Sequence, residues 1–166
     1  MEFREYKAEW LDALKLHEDV LRLEKISSDD ALAIGGIMVR LAKEKYRQPI
    51  AIRIISAGMT VYSHLMDGTS HYNDWWMDKK INVCRMTGGS SIRALVEAAT
   101  GAIAMEPEFE NEDSHALCGG GFPVRNAAGK LVGYVLCSGM KHYNDHQLIV
   151  DALSEFTGRS VPAIEY

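Results

Sequence analysis

Hydrophobic residues recur every three or four positions in several stretches of this chain, the spacing of an amphipathic helix. In residues 5–17, Trp10, Leu11 and Leu14 follow this spacing, and Lys and Glu occupy the remaining faces. Residues 27–30, Ser-Ser-Asp-Asp, indicate another helix start, because their side chains can accept hydrogen bonds from the first free N–H groups. The predicted helices cover residues 5–17, 29–45, 73–86, 92–100 and 147–156.

Short apolar or alternating runs between turn residues predict the β-strands. Residues 20–26 alternate between apolar and charged side chains, and residues 50–55 are almost wholly apolar. Turns at residues 57–58 and 127–129 join neighbouring strands into hairpins, which require antiparallel pairing. The predicted strands are residues 20–26, 50–55, 60–65, 124–126 and 131–138. We therefore predict an α+β fold in which helices flank an antiparallel sheet of about five strands.

Composition and charge indicate which classes of partner and location are compatible with the sequence. The 166 residues contain no linker or repeat, which predicts a single domain over residues 1–166. A net charge of −5 argues against nucleic acid as the partner, because binding phosphates requires clustered Lys and Arg. No apolar run approaches the roughly 20 residues of a membrane span. Three cysteines are too few for a disulfide framework, and residues 1–5 lack a signal-peptide core. We expect a cytoplasmic protein.

The run Cys118-Gly119-Gly120-Gly121-Phe122 is the strongest candidate for a binding site. Three consecutive glycines are costly to order, so they indicate backbone shapes or close approaches that a Cβ would block. Because the run leads into a predicted strand, we expect it at a sheet edge or at the mouth of a pocket. Its backbone N–H groups could also form an anion-binding nest.

Four of the six histidines are candidate functional residues. His71 lies beside Asn73 at a predicted loop-to-helix junction, where it either binds a ligand or caps the helix. His115 precedes the glycines and is expected at the same cleft. His142 and His146 are four positions apart, but the last helix is predicted to begin after His142, with Asn144 or Asp145 as its N-cap. The two rings would then not share a helix face, and we predict no metal site.

Cys118 is the best nucleophile candidate, since it adjoins the glycines and His115 is three residues away. The alternative is a small buried thiol, because nearness in sequence does not establish the hydrogen bond that a nucleophile and its base need. Trp75 and Trp76 provide a candidate wall for a flat ligand. Adjacent helical residues point about 100° apart, so only one of the two is expected to face a given pocket, and we favour Trp75.

Several of these motifs resemble the haem-degrading-domain family. The residues concerned are Gly119 to Pro123, Gly133, Val135, Ser138-Gly139 and Asp145-His146. A further set resembles one uncharacterised branch of that family: Gly68-Thr69-Ser70, Asn73, Trp75 or Trp76, Lys79-Lys80 and Ser90-Ser91. The likeness covers residues 14–156, so the helix at 5–17 is an addition to the shared core. The family includes extracellular haem-binding sensors and the C-terminal domain of a propanediol-utilisation adenosyltransferase.

The resemblance implies a profilin-like sandwich, symmetric homo-oligomers and, in some members, haem or another tetrapyrrole as ligand. Members that ligate haem through the protein use a histidine on the first core helix. Residues 29–45 contain no histidine, so binding by the same route is not expected.

Three functions follow from the residues and the resemblance. The preferred one is a homo-oligomer that binds a small molecule, haem or another tetrapyrrole, near residues 119–121. The expected ligand-binding residues are Gly119, Gly120, Gly121, Phe122, His71, Asn73 and Trp75. The second is a small enzyme that acts on a tetrapyrrole or redox substrate through Cys118, His115 or His142. The third is an oligomeric adaptor protein with the helix at 5–17 as its seam.

Overall fold

The computed structural model describes residues 5–166, which fold as helices on both faces of one sheet. The helices are α1 (Trp10–Val20), α2 (Ser28–Leu41), α3 (His71–Thr87), α4 (Ser91–Ala99) and α5 (His142–Thr157). The strands are β1 (Ala51–Ser56), β2 (Met59–Leu65), β3 (Gly121–Arg125) and β4 (Leu131–Ser138). A π-helical turn (Ala42–Tyr46) extends α2, and a 3₁₀ turn (Pro107–Glu110) lies between α4 and β3.

The four strands are antiparallel throughout and lie in the order β2-β1-β4-β3. Alternate residues of β1 serve two separate cores, as the two-residue period of a strand requires. Ile52 and Ile54 pack with α2 and α5 on one face, and Ala51 and Ile55 pack with α3 on the other. The sheet is therefore the middle layer of a helix–sheet–helix arrangement.

The α+β class and both hairpins agree with the prediction, but the sheet has four strands and not five. Residues 20–26 form no strand: Val20 ends α1, and the following segment is irregular. Leu21 and Ile26 are buried in the core, and the segment makes a single backbone hydrogen bond to β3, from Leu23 N to Arg125 O. The alternation of apolar and charged residues here reflects burial without a ladder of strand hydrogen bonds.

Two helix starts also differ from the prediction. The first helix begins at Trp10 and continues to Val20, instead of covering residues 5–17. The last helix begins at His142, where Lys141 occupies the N-cap position without a side-chain hydrogen bond. The starts at Ser27 and Ser90 are capped by those side chains, as expected. In the described part of the chain, no helix is long and apolar enough to cross a bilayer.

Candidate functional site

The N-terminal halves of α3 and α5 lie beside a groove that consists of two neighbouring cavities. The inner cavity, of about 370 Å³, lies where α3 and α5 meet the end of β4. The outer cavity, of about 470 Å³, lies between α3 and the segment 109–118. Trp76 and Cys118 line both, so they stand at the junction of the groove.

Polar side chains converge on the inner cavity from three elements. Asn73 on α3 reaches Ser138 at the end of β4, with its Nδ2 3.4 Å from the Ser138 Oγ. The Asn73 Oδ1 also accepts from Ser70 N, which completes the capping box that begins α3. The remaining lining residues are Trp76, Lys80, Cys118, Gly139, Met140, His142 and Asp145.

A buried ion pair forms the floor of the inner cavity. The Lys80 ammonium lies 2.9 Å from an Asp145 carboxylate oxygen and donates a second bond to Cys137 O at 2.8 Å. Asp145 also accepts from Met140 N at 3.0 Å, which fixes the loop that leads into α5. Burial raises the pKa of Asp145, and the Lys80 ammonium opposes that shift. Asp145 thus joins α5 to α3 and β4, and it is not the helix cap that the sequence indicated.

The glycine loop is packed inside the protein behind this pair. A Cβ on Gly119 would lie 2.2 Å from the His142 carbonyl oxygen, and one on Gly120 would lie 2.3 Å from that of Cys137. The Gly119 N–H donates to His142 Nδ1 and the Gly121 N–H to Ser91 Oγ. Because the fold uses these two donors, they are not available for the anion-binding nest that the loop could have formed. Its glycines are needed for close approach, as predicted, but to α5 and β4.

Both indoles of the Trp75–Trp76 pair line the outer cavity, although only one was expected to face a pocket. Their rings meet edge to face, with centroids 6.0 Å apart. Lys79 places its ammonium 3.8 Å from the centroid of each ring. Turned in this way, the two side chains form one wall around a cation. His115 and Cys118 line the same cavity from the segment 109–118.

Other predicted site residues lie outside the groove. His71 is exposed at the start of α3, with its ring centroid 4.3 Å from that of Tyr72. Phe122 is completely buried in the core with its ring against His146, so it has no surface to offer a ligand. His146 lies on the same helix as His142, but its Nε2 is 3.1 Å from the Nδ1 of His17 on α1. Within residues 5–166, no three His, Cys, Asp or Glu side chains cluster to hold a metal ion.

The three thiols are free. Cys84 and Cys137 are buried in the core, and burial raises the pKa of Cys137 well above its usual value. Burial also raises the pKa of Cys118, although Lys80 opposes the shift. A raised pKa favours the thiol over the thiolate, which is the nucleophilic form.

Comparison with known proteins identifies the family. A model described as haem-degrading protein HbpS-like matches residues 26–154. The chain belongs to the HbpS-like family. This confirms the resemblance drawn from the sequence.

Relatives and solved structures agree with this assignment. A UPF0303 protein of Streptomyces coelicolor is 35% identical over 148 residues, which cover 87% of this chain and 92% of the relative. The crystal structure of the Ybr137w protein is similar with a TM-score of 0.78 and 21% identity, covering 92% and 90% of the two chains. A PduOC–haem complex is similar with a TM-score of 0.66 and 17% identity, covering 78% and 94%. These structural likenesses establish a shared fold.

Six of the residues on which the HbpS-like resemblance rested converge on the inner cavity. Those that line it are Asn73, Trp76, Lys80, Ser138, Gly139 and Asp145. Their convergence could not be read from spacing, since Lys80 and Asp145 are 65 positions apart and Asp145 looked like a helix cap. The Lys79-Lys80 pair was part of the resemblance, but only the structure shows that both lysines are buried and therefore require compensating contacts.

Proposed function

We propose that this protein binds a flat small molecule of the tetrapyrrole class, with haem as the first ligand to test, in the groove. The main observation in support of this proposal is the pair of neighbouring cavities that meet at Trp76 and Cys118. Their volumes of about 370 and 470 Å³ lie within the range of ligand pockets. Apolar walls with a few convergent polar groups are also typical of such sites.

The groove offers surfaces and donor atoms that suit haem. Trp75, Trp76 and Phe109 provide aromatic walls in the outer cavity, and Met140 lies in the inner cavity. Haem, when bound, would supply an iron whose reactivity depends on its axial ligands. The family assignment and the haem in the similar PduOC complex support this choice of ligand.

The groove also offers an iron ligand in place of the histidine that α2 lacks. The His115 ring lines the outer cavity, and its Nδ1 lies 2.8 Å from Ser114 Oγ. That contact engages Nδ1, in the way that an outer hydrogen bond orients a metal-binding histidine, and Nε2 would be the atom that binds the iron. His142 accepts from Gly119 N through Nδ1, so it carries the proton of its neutral form on Nε2. His115 is therefore the preferred ligand.

A haemin titration followed by absorbance tests the proposal. We expect saturable binding with a shifted Soret band, weakened about tenfold or more in Trp76→Ala because the wall at the junction is lost. Tyr72→Ala is the matched control, since Tyr72 is an exposed aromatic on the same helix outside both cavities. His115→Ala should change the band position, and His71→Ala should not. Binding that does not saturate, or equal weakening in both aromatic variants, would contradict the site.

The alternatives gain less support. The raised pKa of Cys118 disfavours an enzyme that uses this thiol as its nucleophile. The adaptor hypothesis relied on the first helix as the interface between subunits, yet Trp10 and Leu14 of α1 pack against Ile92 and Val96 of α4 within the chain.

We retain the cytoplasmic location and the homo-oligomer as parts of this proposal. The free thiols support the first, and the open edge of β2, considered below, supports the second.

A further inference from the structure

Lys79 is a buried cation in the wall of the outer cavity. The residue is only 3% exposed, and its ammonium lies against the faces of Trp75 and Trp76. One of its three N–H donors binds Glu112 O at 2.7 Å. Trp75 and Trp76 are each 39% exposed, so the wall around the ammonium is open to a ligand.

Lys79 differs from its neighbour Lys80 in its counter-charge. Lys80 pairs with the Asp145 carboxylate, whereas the ion pairs of residues 5–166 include none with Lys79. A buried charge without a partner is costly, and indole faces and one carbonyl compensate only part of that cost. The outer cavity therefore contains a positive group that an anionic ligand would neutralise.

We propose that Lys79 binds a carboxylate of the ligand, so that the groove selects flat molecules that carry an acid group. The inference rests on the proposed function and specifies which members of the ligand class bind. The two indoles would contact the flat part of the ligand while Lys79 contacts its acid group. Glu112 and Asp113 also line the outer cavity but are exposed. Their charges oppose small free anions, so an acid must also bring an aromatic surface.

A pair of metal-free ligands tests this on the unaltered protein. Protoporphyrin IX and its dimethyl ester have the same ring, but only the first has carboxylates, and neither has iron to engage His115. Absorbance and porphyrin fluorescence anisotropy would measure the affinity of each. We expect the acid to bind about 10- to 100-fold more tightly, the usual effect of one hydrogen bond to a charged group.

Substitutions of Lys79 assign the preference to this side chain. Lys79→Met should reduce the difference between acid and ester to about threefold or less, because its side chain has similar length and no charge. Lys79→Arg should keep most of the preference. Lys130→Met is the control, since Lys130 is exposed in the turn between β3 and β4. A folding defect would lower the affinity for both ligands equally, whereas a lost ion pair would lower the affinity for the acid alone. Thermal unfolding of each variant identifies a folding defect.

The outcomes distinguish the two proposals. If acid and ester bind equally and saturably, the groove binds tetrapyrroles and the role of Lys79 is wrong. If the acid is preferred but Lys79→Met preserves the preference, another cation is responsible and the inference again fails. If neither porphyrin saturates the protein, the proposed function fails and this inference fails with it.

Discussion

Gly120 illustrates how one residue supports both the fold and the site. Its φ of +114° lies in the region that side chains rarely adopt. A Cβ at this position would lie 2.6 Å from the Lys80 Nζ as well as against the Cys137 carbonyl oxygen. Replacing Gly120 would therefore displace the ion pair beneath the inner cavity before any ligand was involved. It is a probe of stability and not of binding alone.

Substitution of Gly120 by Ala should destabilise the protein by about 2–4 kcal/mol, from backbone strain and the disturbed ion pair. Gly36→Ala is the matched control, since Gly36 lies inside α2 with nothing near its missing Cβ. That change should stabilise the protein by about 0.5–1 kcal/mol. Denaturant unfolding measures both. Equal effects of the two substitutions would show that the close approach at Gly120 is not important.

The pairing of His17 with His146 links elements from both ends of the described chain. His17 Nε2 lies 2.7 Å from the Pro162 carbonyl oxygen, which can only accept, so this nitrogen carries the proton. His17 Nδ1 must then accept from His146 Nε2. His146 Nδ1 is left buried without a partner. The neutral pair holds α1, α5 and the C-terminal segment together through one set of tautomers.

This pair predicts a loss of stability in mild acid. Burial lowers the pKa of His17, against a raising effect of its bond to Pro162, and lowers the pKa of His146 well below its usual value. In the unfolded chain both return to about 6.5. Below that pH the unfolded chain binds more protons, so stability decreases as pH falls, by at most about 1.4 kcal/mol per pH unit for each histidine.

His17→Gln tests this, because an amide can donate to Pro162 and accept from His146 without titrating. Denaturant unfolding between about pH 7.5 and 5.5 should show a shallower loss of stability in the variant. The buried carboxylates of Glu18 and Asp145 titrate in both proteins, so the difference isolates His17. His64→Gln, on the exposed face of β2, should match the wild type. An unchanged slope in His17→Gln would mean that His17 is not held neutral.

Elements set by local chemistry were predictable, and those set by distant contacts were not. The starts of α2 and α4 depend on the adjacent Ser27 and Ser90, and the turn at residues 57–58 fixes a hairpin. The start of α5 depends on Asp145 turning inward to Lys80, which no neighbouring residue indicates. The segment 20–26 has a strand-like pattern, but its single backbone hydrogen bond to β3 does not form a strand ladder.

For the whole molecule, β2 and β3 are the two edge strands of the sheet, and the residues of β3 are mostly buried. β2 pairs with β1 on one side only, and its residues are mostly exposed, including Met59 and Leu65. Unpaired edges offer a row of backbone donors and acceptors that can pair with a second chain. We therefore place the contact of the proposed homo-oligomer at β2, in preference to α1.

Light scattering after size-exclusion chromatography should give a mass that is a multiple of 18.5 kDa. Leu65→Lys should lower that mass, because a lysine on an edge strand disfavours pairing between chains. Leu131→Lys is the control, at a position of similar exposure (37% against 40%) at the start of β4. A monomeric wild type would refute the oligomer, and equal masses for all three proteins would exclude the β2 edge.

The sequence indicated parts of the candidate site but not its assembly. Asn73, Trp75, His115, Cys118 and His142 were selected individually, and the fold places each of them in one or both cavities. The roles of Lys79 and Lys80 could not be predicted. Two adjacent lysines look like a solvated pair until α3 is packed between the sheet and the segment 109–118.

The three tryptophans divide between two regions of the molecule. Trp10 lies against Tyr166 where α1 meets the C-terminal segment, while Trp75 and Trp76 surround Lys79. The intrinsic emission of this protein is thus a built-in optical reporter with two separable sources. In Trp10→Phe the emission comes from the groove alone, and filling of the cavities can be followed without a label. In Trp75→Phe/Trp76→Phe it reports only whether the two ends of the described chain remain docked.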